Sequence, residues 1–386
     1  MNVGWQKRKL GDLCEIELGR TPARANASYW DETRETGNVW LSIADLLNSE
    51  DNVVVDSKEY VSDKGARICK LVPKGTLLVS FKLTLGRLAF AGRDLLTNEA
   101  IAALSIFKGL ELSKEFLFYF LHFFDWVGAA QNDVKLKGMT FNKAKLREIE
   151  VCFPSALTEQ KRIVGLLDEA FAGLATAQAH AERNLQNSRA LFESHLDSVF
   201  TQRGEGWVET TLDNISTNLD SQRVPITKNV RNSGEFPYYG ASGIVDYVEG
   251  YIFEGDNLLV SEDGANLLAR SSPIAFSVSG RYWVNNHAHI LHFKNRATQR
   301  FAEFYLESIK LDEYITGTAQ PKLNQKALNS IPIPIPKSAD EQAKIVGGVE
   351  SLQTDTQRLG TIYSRKLEAL AALKRSLLHQ AFNGEL

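Results

Sequence analysis

The stretch IPIPIPKSADEQAKIV, residues 331–346, determines how this chain must be built. Proline restricts φ to a narrow range and cannot donate a backbone hydrogen bond, so alternating Ile and Pro predicts an extended edge segment or a polyproline spacer. Ser338 is the predicted N-cap of a helix, with Glu341 three residues later as in a capping box. Proline does not return in residues 337–386. The stretch therefore predicts a rigid exit from one domain into one long helix.

The chain contains this arrangement twice, at a constant offset that holds without a gap from Asn142, which corresponds to Asn324, to the end of the repeat. Pro154 corresponds to Pro336, and the pair Glu159-Gln160 corresponds to Glu341-Gln342. An internal repeat of this kind outweighs any local signal in predicting a fold. The corresponding pieces are VCFPSALTEQKRIVGLLDEA (151–170) with IPIPKSADEQAKIVGGVESL (333–352), and ALFESHLDSVF (190–200) with ALKRSLLHQAF (372–382).

The regions before the repeated helices also correspond, although their lengths and most of their residues differ. Each opens with a Trp, at Trp5 and at Trp207, and closes with the repeated Pro. Shorter similarities pair KGTLLVS (74–80) with EGDNLLVS (254–261), TNEAIAAL (97–104) with NNHAHIL (285–291), and MTFNKAKL (139–146) with PKLNQKAL (321–328). The predicted domains are a first variable domain at 1–153, a first helical spacer at 154–206, a second variable domain at 207–336 and a second helical spacer at 337–386.

Composition indicates a globular chain inside the cell. The 386 residues are 44% hydrophobic, enough to bury more than one core, and no apolar run approaches the length of a membrane-spanning helix. We expect a soluble, cytoplasmic protein. Cys14, Cys69 and Cys152 lie too far apart for a disulfide framework or a zinc motif, so we expect buried thiols in a reducing compartment.

The net charge of −3 is unusual for a protein that binds nucleic acid alone. Phosphate contacts dominate nucleic-acid affinity and normally require a basic surface. If this chain binds DNA, its basic groups must be local, or a partner must supply much of the positive charge.

Both spacers carry apolar residues at alternating steps of three and four, which predicts a coiled-coil seam. Each run spans about 44 residues, or about 66 Å of helix. Two ordinary amphipathic helices, each packed on its own domain, are the alternative. The shared register favours two helices packed antiparallel as a spacer. The predicted seam residues are Ile163, Leu167, Leu174, Ile345, Val349, Leu352, Leu359 and Leu370.

No motif predicts catalysis or a bound metal. A Gly-rich S-adenosylmethionine loop, a Pro-Pro pair and a phosphate-binding GxxxxGK[ST] loop are all missing. His287 and His289 share a face of a predicted strand, but no carboxylate or thiol cluster near them in sequence completes a metal site. The aromatic run FLFYFLHFF (116–124) has helical spacing and is predicted to be core.

On these residues the chain resembles the specificity subunit of type I restriction–modification systems. The doubled Pro, Glu-Gln and Ile-Val turn carries the resemblance, together with GRTPARANASYWDETRETGNVWLSIADL (19–46) and FPYYGASGIVDYV (236–248). The resemblance implies an α+β fold: two α/β target-recognition domains alternate with two long helices packed as an antiparallel coiled coil, in a pseudo-twofold internal repeat.

The resemblance also implies a function without catalysis on this chain. It would read a bipartite, asymmetric double-stranded DNA target and dock two adenine methyltransferase (modification) subunits, and through them motor-nuclease (restriction) subunits. S-adenosylmethionine, ATP and Mg²⁺ would then belong to the partners. The near alternative is a specificity subunit for a fused methyltransferase–nuclease. More distant alternatives are a coiled-coil scaffold that binds no DNA and an autonomous enzyme.

Loop residues that suit base edges or phosphates are the candidate DNA contacts. In the first domain they are Arg20, Thr21, Arg24, Ser42, Ser80, Lys82, Thr84, Arg87, Lys135, Lys137 and Thr140. In the second domain they are Tyr238, Tyr239, Ser242, Ser261, Glu262, Asp263, Asn266, Thr318, Gln320 and Lys322.

Overall fold

The computed structural model describes residues 4–49, 52–130, 134–135, 138–317 and 319–386. The chain divides into two compact units, which are Met1–Ala179 with Leu367–Leu386, and His180–Lys366. We call them the first and the second unit. Each contains one variable domain and part of each long helix, so the units cut across the chain order that the sequence suggests.

The first unit combines short strands with short helices. Its strands are β1 (Trp5–Lys9), β2 (Cys14–Leu18), β3 (Val39–Leu41), β4 (Val53–Val54), β5 (Glu59–Tyr60), β6 (Leu71–Val72), β7 (Leu77–Ser80), β8 (Lys82–Leu83), β9 (Leu88–Ala91), β10 (Leu95–Thr97), β11 (Ile101–Ile106), β12 (Val134–Lys135), β13 (Gly138–Thr140) and β14 (Glu150–Pro154). Its helices are α1 (Leu10–Leu13), α2 (Asp63–Ala66), α3 (Lys114–Phe123), α4 (Trp126–Ala130) and α5 (Lys143–Arg147), followed by the long α6 (Leu157–Thr201).

The second unit repeats this organisation. Its strands are β15 (Trp207–Thr211), β16 (Ser216–Asn218), β17 (Ser233–Gly240), β18 (Gly243–Val248), β19 (Phe253–Glu254), β20 (Asn257–Ser261), β21 (Ala275–Val278), β22 (Arg281–Val284), β23 (Ala288–Phe293), β24 (Ile315–Thr316), β25 (Lys322–Leu323) and β26 (Pro332–Pro336). Its helices are α7 (Leu212–Ile215), α8 (Asn266–Ala269), α9 (Arg296–Ser308) and α10 (Gln325–Asn329), followed by the long α11 (Ala339–Asn383).

Each unit is built on two main sheets of mostly antiparallel strands. In the first unit the strand orders are β2-β11-β7-β9-β4 and β5-β3-β10-β6, and in the second they are β16-β23-β20-β21 and β18-β17-β22-β19. Parallel pairs join β3 with β10, β4 with β9, and β17 with β22. The α+β class that the family resemblance implies is confirmed.

A short ribbon closes each variable domain before its long helix begins. In β1–β14 Trp5 lies opposite Pro154, and in β15–β26 Trp207 lies opposite Pro336. The Pro residues are tolerated because each ribbon has two strands, so both are edges. The Trp that opens each domain therefore pairs with the Pro that closes it.

The long helices have equal length and equivalent ends. Both α6 and α11 contain 45 residues, and their first and last residues correspond at the offset that relates Pro154 to Pro336. The Oγ atom of Ser338 accepts a hydrogen bond from the Glu341 backbone N at 3.4 Å, as expected of an N-cap.

A buried glutamine attaches each long helix to its domain. Gln160 is fully buried; its Nε2 donates to the carbonyls of Pro154 (2.8 Å) and Glu111 (2.9 Å), and its Oε1 accepts from the Ser113 N at 2.8 Å. At the equivalent position, Gln342 donates to the Pro336 carbonyl at 2.7 Å and accepts from the Thr298 hydroxyl at 2.6 Å.

The partners of these glutamines show what they connect. Ser113 is the N-cap of α3, and Thr298 lies in the first turn of α9. The same residue of the repeat therefore joins the closing ribbon, the start of the domain helix and the first turn of the long helix. The Gln of the repeated Glu-Gln pair is therefore buried in both copies.

The long helices run antiparallel where they meet inside each unit. In the first unit, Ile163 and Leu167 of α6 share a core with Ala381 and Phe382 near the end of α11. In the second unit, Leu196 and Phe200 near the end of α6 share a core with Val346 and Val349 of α11. The aromatic run beginning at Phe116 lies in the first of these cores, so its prediction as core is confirmed for Phe116–Leu121.

Small residues form the middle of the seam. An added Cβ at Gly360 would lie 3.8 Å from Leu185, and both Ser188 and Thr356 are buried. Because the contact follows Thr356 and Gly360, Leu359 is turned outward and is 38% exposed, so its prediction as a seam residue is wrong. Of the other predicted seam residues, Ile163, Leu167 and Val349 are buried, whereas Leu174, Ile345, Leu352 and Leu370 are half-buried.

The cysteines are free thiols, and Cys14 is buried while Cys69 and Cys152 are half-buried. Burial raises the pKa of Cys14 to about 12 and that of Cys69 to about 11. Neither of these two thiols therefore forms the reactive thiolate near neutral pH.

Candidate nucleic-acid interface

In the first unit, two of the predicted loops meet around Glu99. The opening turn contributes Thr21, whose hydroxyl donates to the Glu99 carboxylate. Burial raises the pKa of Glu99, but the bond from Thr21 and the charges of Lys82 and Arg24 outweigh it, so the pKa lies below its ordinary value. Cationic and hydroxyl side chains from residues distant in sequence are thereby gathered at one place.

Close backbone approach fixes the opening turn. An added Cβ at Gly19 would lie 2.2 Å from the carbonyl oxygens of Thr97 and Asn98, so no larger residue fits. The backbone N of Arg20 then donates to the Thr97 carbonyl at 2.8 Å, and the Arg20 carbonyl accepts from the Trp40 indole at 3.0 Å. The Arg20 side chain is exposed.

Ser80 closes the second of these loops from inside. Its hydroxyl donates to the Thr84 carbonyl at 2.6 Å and accepts from the Arg87 N at 3.0 Å. Ser80 is fully buried, so the predicted contact with DNA is replaced by a structural role. Thr84 is exposed, and Lys82 and Arg87 are half-exposed.

Two further candidates are held by neighbouring side chains. The Arg24 guanidinium lies 4.1 Å above the ring centre of Trp30 and forms an ion pair with Glu59. Ser42 donates both its N and its hydroxyl to buried Asp45 at 2.7 Å, so Ser42 orders its own loop. Lys137 lies outside the described residues, and the side chains of Lys135 and Thr140 do too.

In the second unit, three predicted loops converge. The Ser261 hydroxyl donates to the Ala241 carbonyl, which joins loop 261–266 to the turn after β17. The Leu323 N donates to the Glu262 carbonyl at 2.8 Å, and Asp263 forms a backbone β-bridge with Lys322, which joins the same loop to β25. The sequence did not indicate that these three loops meet.

A network of charges lies beneath this convergence. Asp220 accepts from the Nδ1 of His289 at 2.5 Å and from the Ile290 N at 2.9 Å. Glu262 pairs with Arg223 at 2.7 Å and with Lys322 at 3.1 Å. These groups come from four separate parts of the chain, so the network fixes the loops relative to one another.

The network also lowers the pKa of both acids. Burial raises the pKa of Asp220 and of Glu262, but the bonds and charges of His289 and Arg223 outweigh it in each case, so both lie below their ordinary values. Both carboxylates therefore remain ionised at neutral pH and hold their cationic partners.

Among the residues that the structure describes, Asp220, Glu262 and His289 bring their potential ligand atoms within 4.8 Å of one another. A metal would need a free imidazole nitrogen. The Nε2 of His289 lies 2.7 Å from the Leu323 carbonyl and its Nδ1 lies 2.5 Å from the Asp220 carboxylate, so both ring nitrogens already have partners within the chain. The group therefore fits an ion-pair network and not a metal site.

Several second-unit candidates have structural roles instead of the predicted DNA contacts. Tyr238 and Ser261 are fully buried, and the Tyr238 hydroxyl accepts from the Ile226 N at 3.1 Å. Glu262 is held in the network, and Asn266 donates to the Ser272 carbonyl at 2.9 Å. For these four, the side-chain type suits a base edge, but hydrogen bonds or ion pairs within the domain already use its polar groups.

The remaining second-unit candidates lie at the surface. Ser242, Gln320 and Lys322 are exposed, Tyr239 is half-buried, and Asp263 accepts from the Nδ1 of His287 at 2.9 Å. Thr318 lies outside the described residues. Hydroxyl, amide and ammonium groups at one surface can contact base edges and phosphates.

The same backbone ladder underlies the loops of both units. The Phe141 N donates to the Phe81 carbonyl at 2.9 Å, and the equivalent Leu323 N donates to the Glu262 carbonyl at 2.8 Å. The repeat therefore extends into the variable loops at the level of the backbone, while the side chains on that backbone differ.

No helix in the described part of the chain is long and apolar enough to cross a membrane.

A family model for the type I restriction modification DNA specificity domain matches residues 2–182 and 204–365. A putative type I restriction enzyme specificity subunit of Haemophilus influenzae is 34% identical over 173 residues, which cover 44% of this chain and 43% of that protein. The MjaIX specificity subunit of Methanocaldococcus jannaschii is 26% identical over 41% of this chain and 36% of that protein. These two matches thus span less than half of each relative.

Longer matches cover nearly the whole chain at lower identity. The EcoprrI specificity subunit of Escherichia coli is 21% identical over 91% of this chain and 88% of that protein. A chain from a solved structure on complex assembly and conformational transition of the type I R-M system has a TM-score of 0.78 at 16% identity, covering 100% of this chain and 99% of that one. The HsdS subunit of Thermoanaerobacter tengcongensis has a TM-score of 0.60 at 16% identity, covering 100% and 98%.

The two solved structures agree in fold with the doubled domain and helix arrangement described above, and the family model matches each of the two copies. Because these matched regions span most of its length, the chain belongs to the type I restriction modification DNA specificity family.

Proposed function

We propose that this chain is the DNA sequence-specificity subunit of a type I restriction–modification complex and that it reads a bipartite, asymmetric target, one half with each unit. The observation that carries this proposal is the pair of loop convergences on one repeated backbone ladder. The loops of the first convergence carry Arg20, Lys82 and Thr84, whereas those of the second carry Ser242, Gln320 and Lys322. Two similar scaffolds with different side chains are suited to two different half-sites.

The exposed groups have chemistry that discriminates bases. Arginine binds the two acceptors of guanine, glutamine pairs with adenine, and hydroxyl groups adapt to either. Lysine on the same surfaces suits phosphate, which sets register without reading sequence. The long helices would set an unread gap of fixed length between the half-sites, as dimer spacing does in other DNA-binding proteins.

Partner subunits would supply the catalytic chemistry and much of the positive surface. A chain with a net charge of −3 would gain from partners that contact phosphates. We place two modification subunits on the outer faces of the long helices and the adjoining domain faces, with restriction subunits bound through them. Leu191 and Leu373 are equivalent in the repeat and are 52% and 48% exposed, so each helix offers an apolar residue at the same position.

The modification subunits would methylate adenine with S-adenosylmethionine, and the restriction subunits would use ATP and Mg²⁺. Under this proposal the chain itself is not an enzyme and works in the cytoplasm, where its DNA lies. A fused methyltransferase–nuclease served by the same fold is the alternative, and the identity of the copurifying subunit distinguishes the two. A scaffold that binds no DNA would give a complex without salt-dependent DNA binding.

Deletion of the gene provides the test. We expect a genome-wide map of methylated adenines to lose one motif of two unequal halves around a fixed gap, and we expect plasmid-borne wild type to restore it. A chain truncated before Trp207 serves as the matched control and should not restore that motif. If the deletion strain methylates every motif that the wild type methylates, the proposed specificity role is wrong.

A further inference from the structure

Leu83 has an unusual backbone at an exposed position in the first unit. Its φ is +64°, which side chains rarely adopt, and it is 58% exposed. The Thr84 N donates to the Lys82 carbonyl at 2.8 Å across it, so Leu83 is the central residue of a γ-turn. The form with positive φ is the rarer and more strained of the two γ-turns.

The equivalent residue of the second unit is a glycine. Counting from the ladder bonds, Phe81 corresponds to Glu262, so Leu83 corresponds to Gly264, whose φ is +107°. The partners agree as well, because Leu83 lies opposite Met139 and the Gly264 N donates to the carbonyl of Pro321, the repeat equivalent of Met139. This backbone position therefore requires a positive φ in both units, and one unit uses the residue that adopts it without strain.

Packing against the side chains that the structure describes does not explain why the first unit carries leucine there. Leu83 belongs to none of the hydrophobic clusters formed by the described residues, whereas neighbouring Leu85 packs against the main core. A strained, exposed apolar side chain at a loop tip is typical of a functional contact. Lys82, beside it, supplies positive charge suited to a DNA backbone.

We propose that Leu83 is a specificity-determining residue that contacts the methyl group of a thymine in the half-site read by the first unit. This inference rests on the proposed function. The thymine methyl is the apolar feature of the major groove, and apolar side chains recognise it by contact. Exposed Arg20 and Thr84 supply the polar contacts nearby. An equivalent contact is impossible at Gly264, so the two half-sites differ in this feature.

A double cycle of protein and DNA changes tests the proposal. The assembled complex of this chain with its modification subunits is assayed for binding to its target, with each thymine replaced in turn by uracil, which lacks only the methyl group. We expect the wild type to bind one uracil target about fourfold more weakly, which is the effect of one buried methyl-sized group. Leu83→Gly and Leu83→Ala should bind the thymine target about fourfold more weakly and show no further loss with uracil.

The stability of the variants separates contact from folding. Leu83→Gly removes the strain, so its melting temperature should be no lower than that of the wild type. Leu71→Ala is the matched control, because Leu71 is 60% exposed in β6 and lies outside the predicted loops. It should keep the wild-type ratio between thymine and uracil targets.

Two results overturn the inference and leave the proposed function standing. One is a complex that binds its bipartite target but responds to no thymine-to-uracil change, and the other is a Leu83→Gly variant with the same thymine preference as the wild type. A complex that recognises no bipartite sequence overturns both proposals together.

Discussion

Inserting four residues into each long helix, after Ala179 and after Lys366, is expected to lengthen the unread gap of the target by one to two base pairs. Both points lie where the chain divides into its two units, so each unit keeps its own stretch of both helices. Four residues add about 6 Å of helix and keep nearly the same helix phase. Because duplex DNA rises about 3.4 Å per base pair, the bases read should stay and only their separation should change.

A map of methylated adenines in cells that carry only the altered chain measures this result. Methylation at sites with the original gap should fall by at least roughly tenfold. A tenfold fall corresponds to a loss of about 1.4 kcal/mol in the free energy of binding. The control has the four-residue insertion in α6 alone. The two antiparallel helices then differ in length, which should lower methylation at both gap lengths. An insertion in both helices that changes the bases, or leaves the gap as it was, would contradict the account.

Gln160→Met should destabilise the first unit by about 3 kcal/mol or more. The substitution removes three hydrogen bonds and leaves the buried Pro154 carbonyl and the partly buried Ser113 N and Glu111 carbonyl without their partner. Each unsatisfied buried backbone group costs about 1–3 kcal/mol. Gln342→Met should weaken the second unit for the same reason, since Gln342 binds Pro336 and Thr298.

Urea unfolding measures the loss, and the matched control is Gln186→Met on the same helix. Gln186 is exposed, so its replacement should change the free energy of unfolding by no more than about 0.5 kcal/mol. Cells carrying Gln160→Met should also methylate some sites with a gap altered by one base pair, because a loosened helix start no longer fixes the angle of the domain. Equal stability of Gln160→Met and Gln186→Met would contradict the inference that Gln160 attaches the long helix to its domain.

The repeat made the long-range architecture predictable. The offset that relates Pro154 to Pro336 also relates both ends of α6 and α11, because a helix begins where proline and an N-cap allow and continues while neither returns. The pairing of Trp5 with Pro154 follows from the same pattern. These features depend on local backbone chemistry, which can be predicted from the residue types alone.

The loop side chains were less predictable, because the residue types that suit DNA also build loops. Ser80 and Ser261 have the hydroxyl expected of a base contact, yet each uses it to hold a neighbouring turn. His289 was considered without a carboxylate partner, and its partner Asp220 lies 69 residues away. The seam prediction was wrong at Leu359 because a heptad pattern counts only apolar residues. It does not include the close approach of Leu185 to the helix at Gly360.

The central claim is that each unit reads one half of the target, and exchanging one variable domain tests it most directly. Residues 207–336, from the Trp to the Pro of the closing ribbon β15–β26, are replaced by the same region of another family member, and methylated adenines are mapped. The account predicts that one half of the motif changes while the other half and the gap remain. A motif in which both halves change, or neither does, would contradict it.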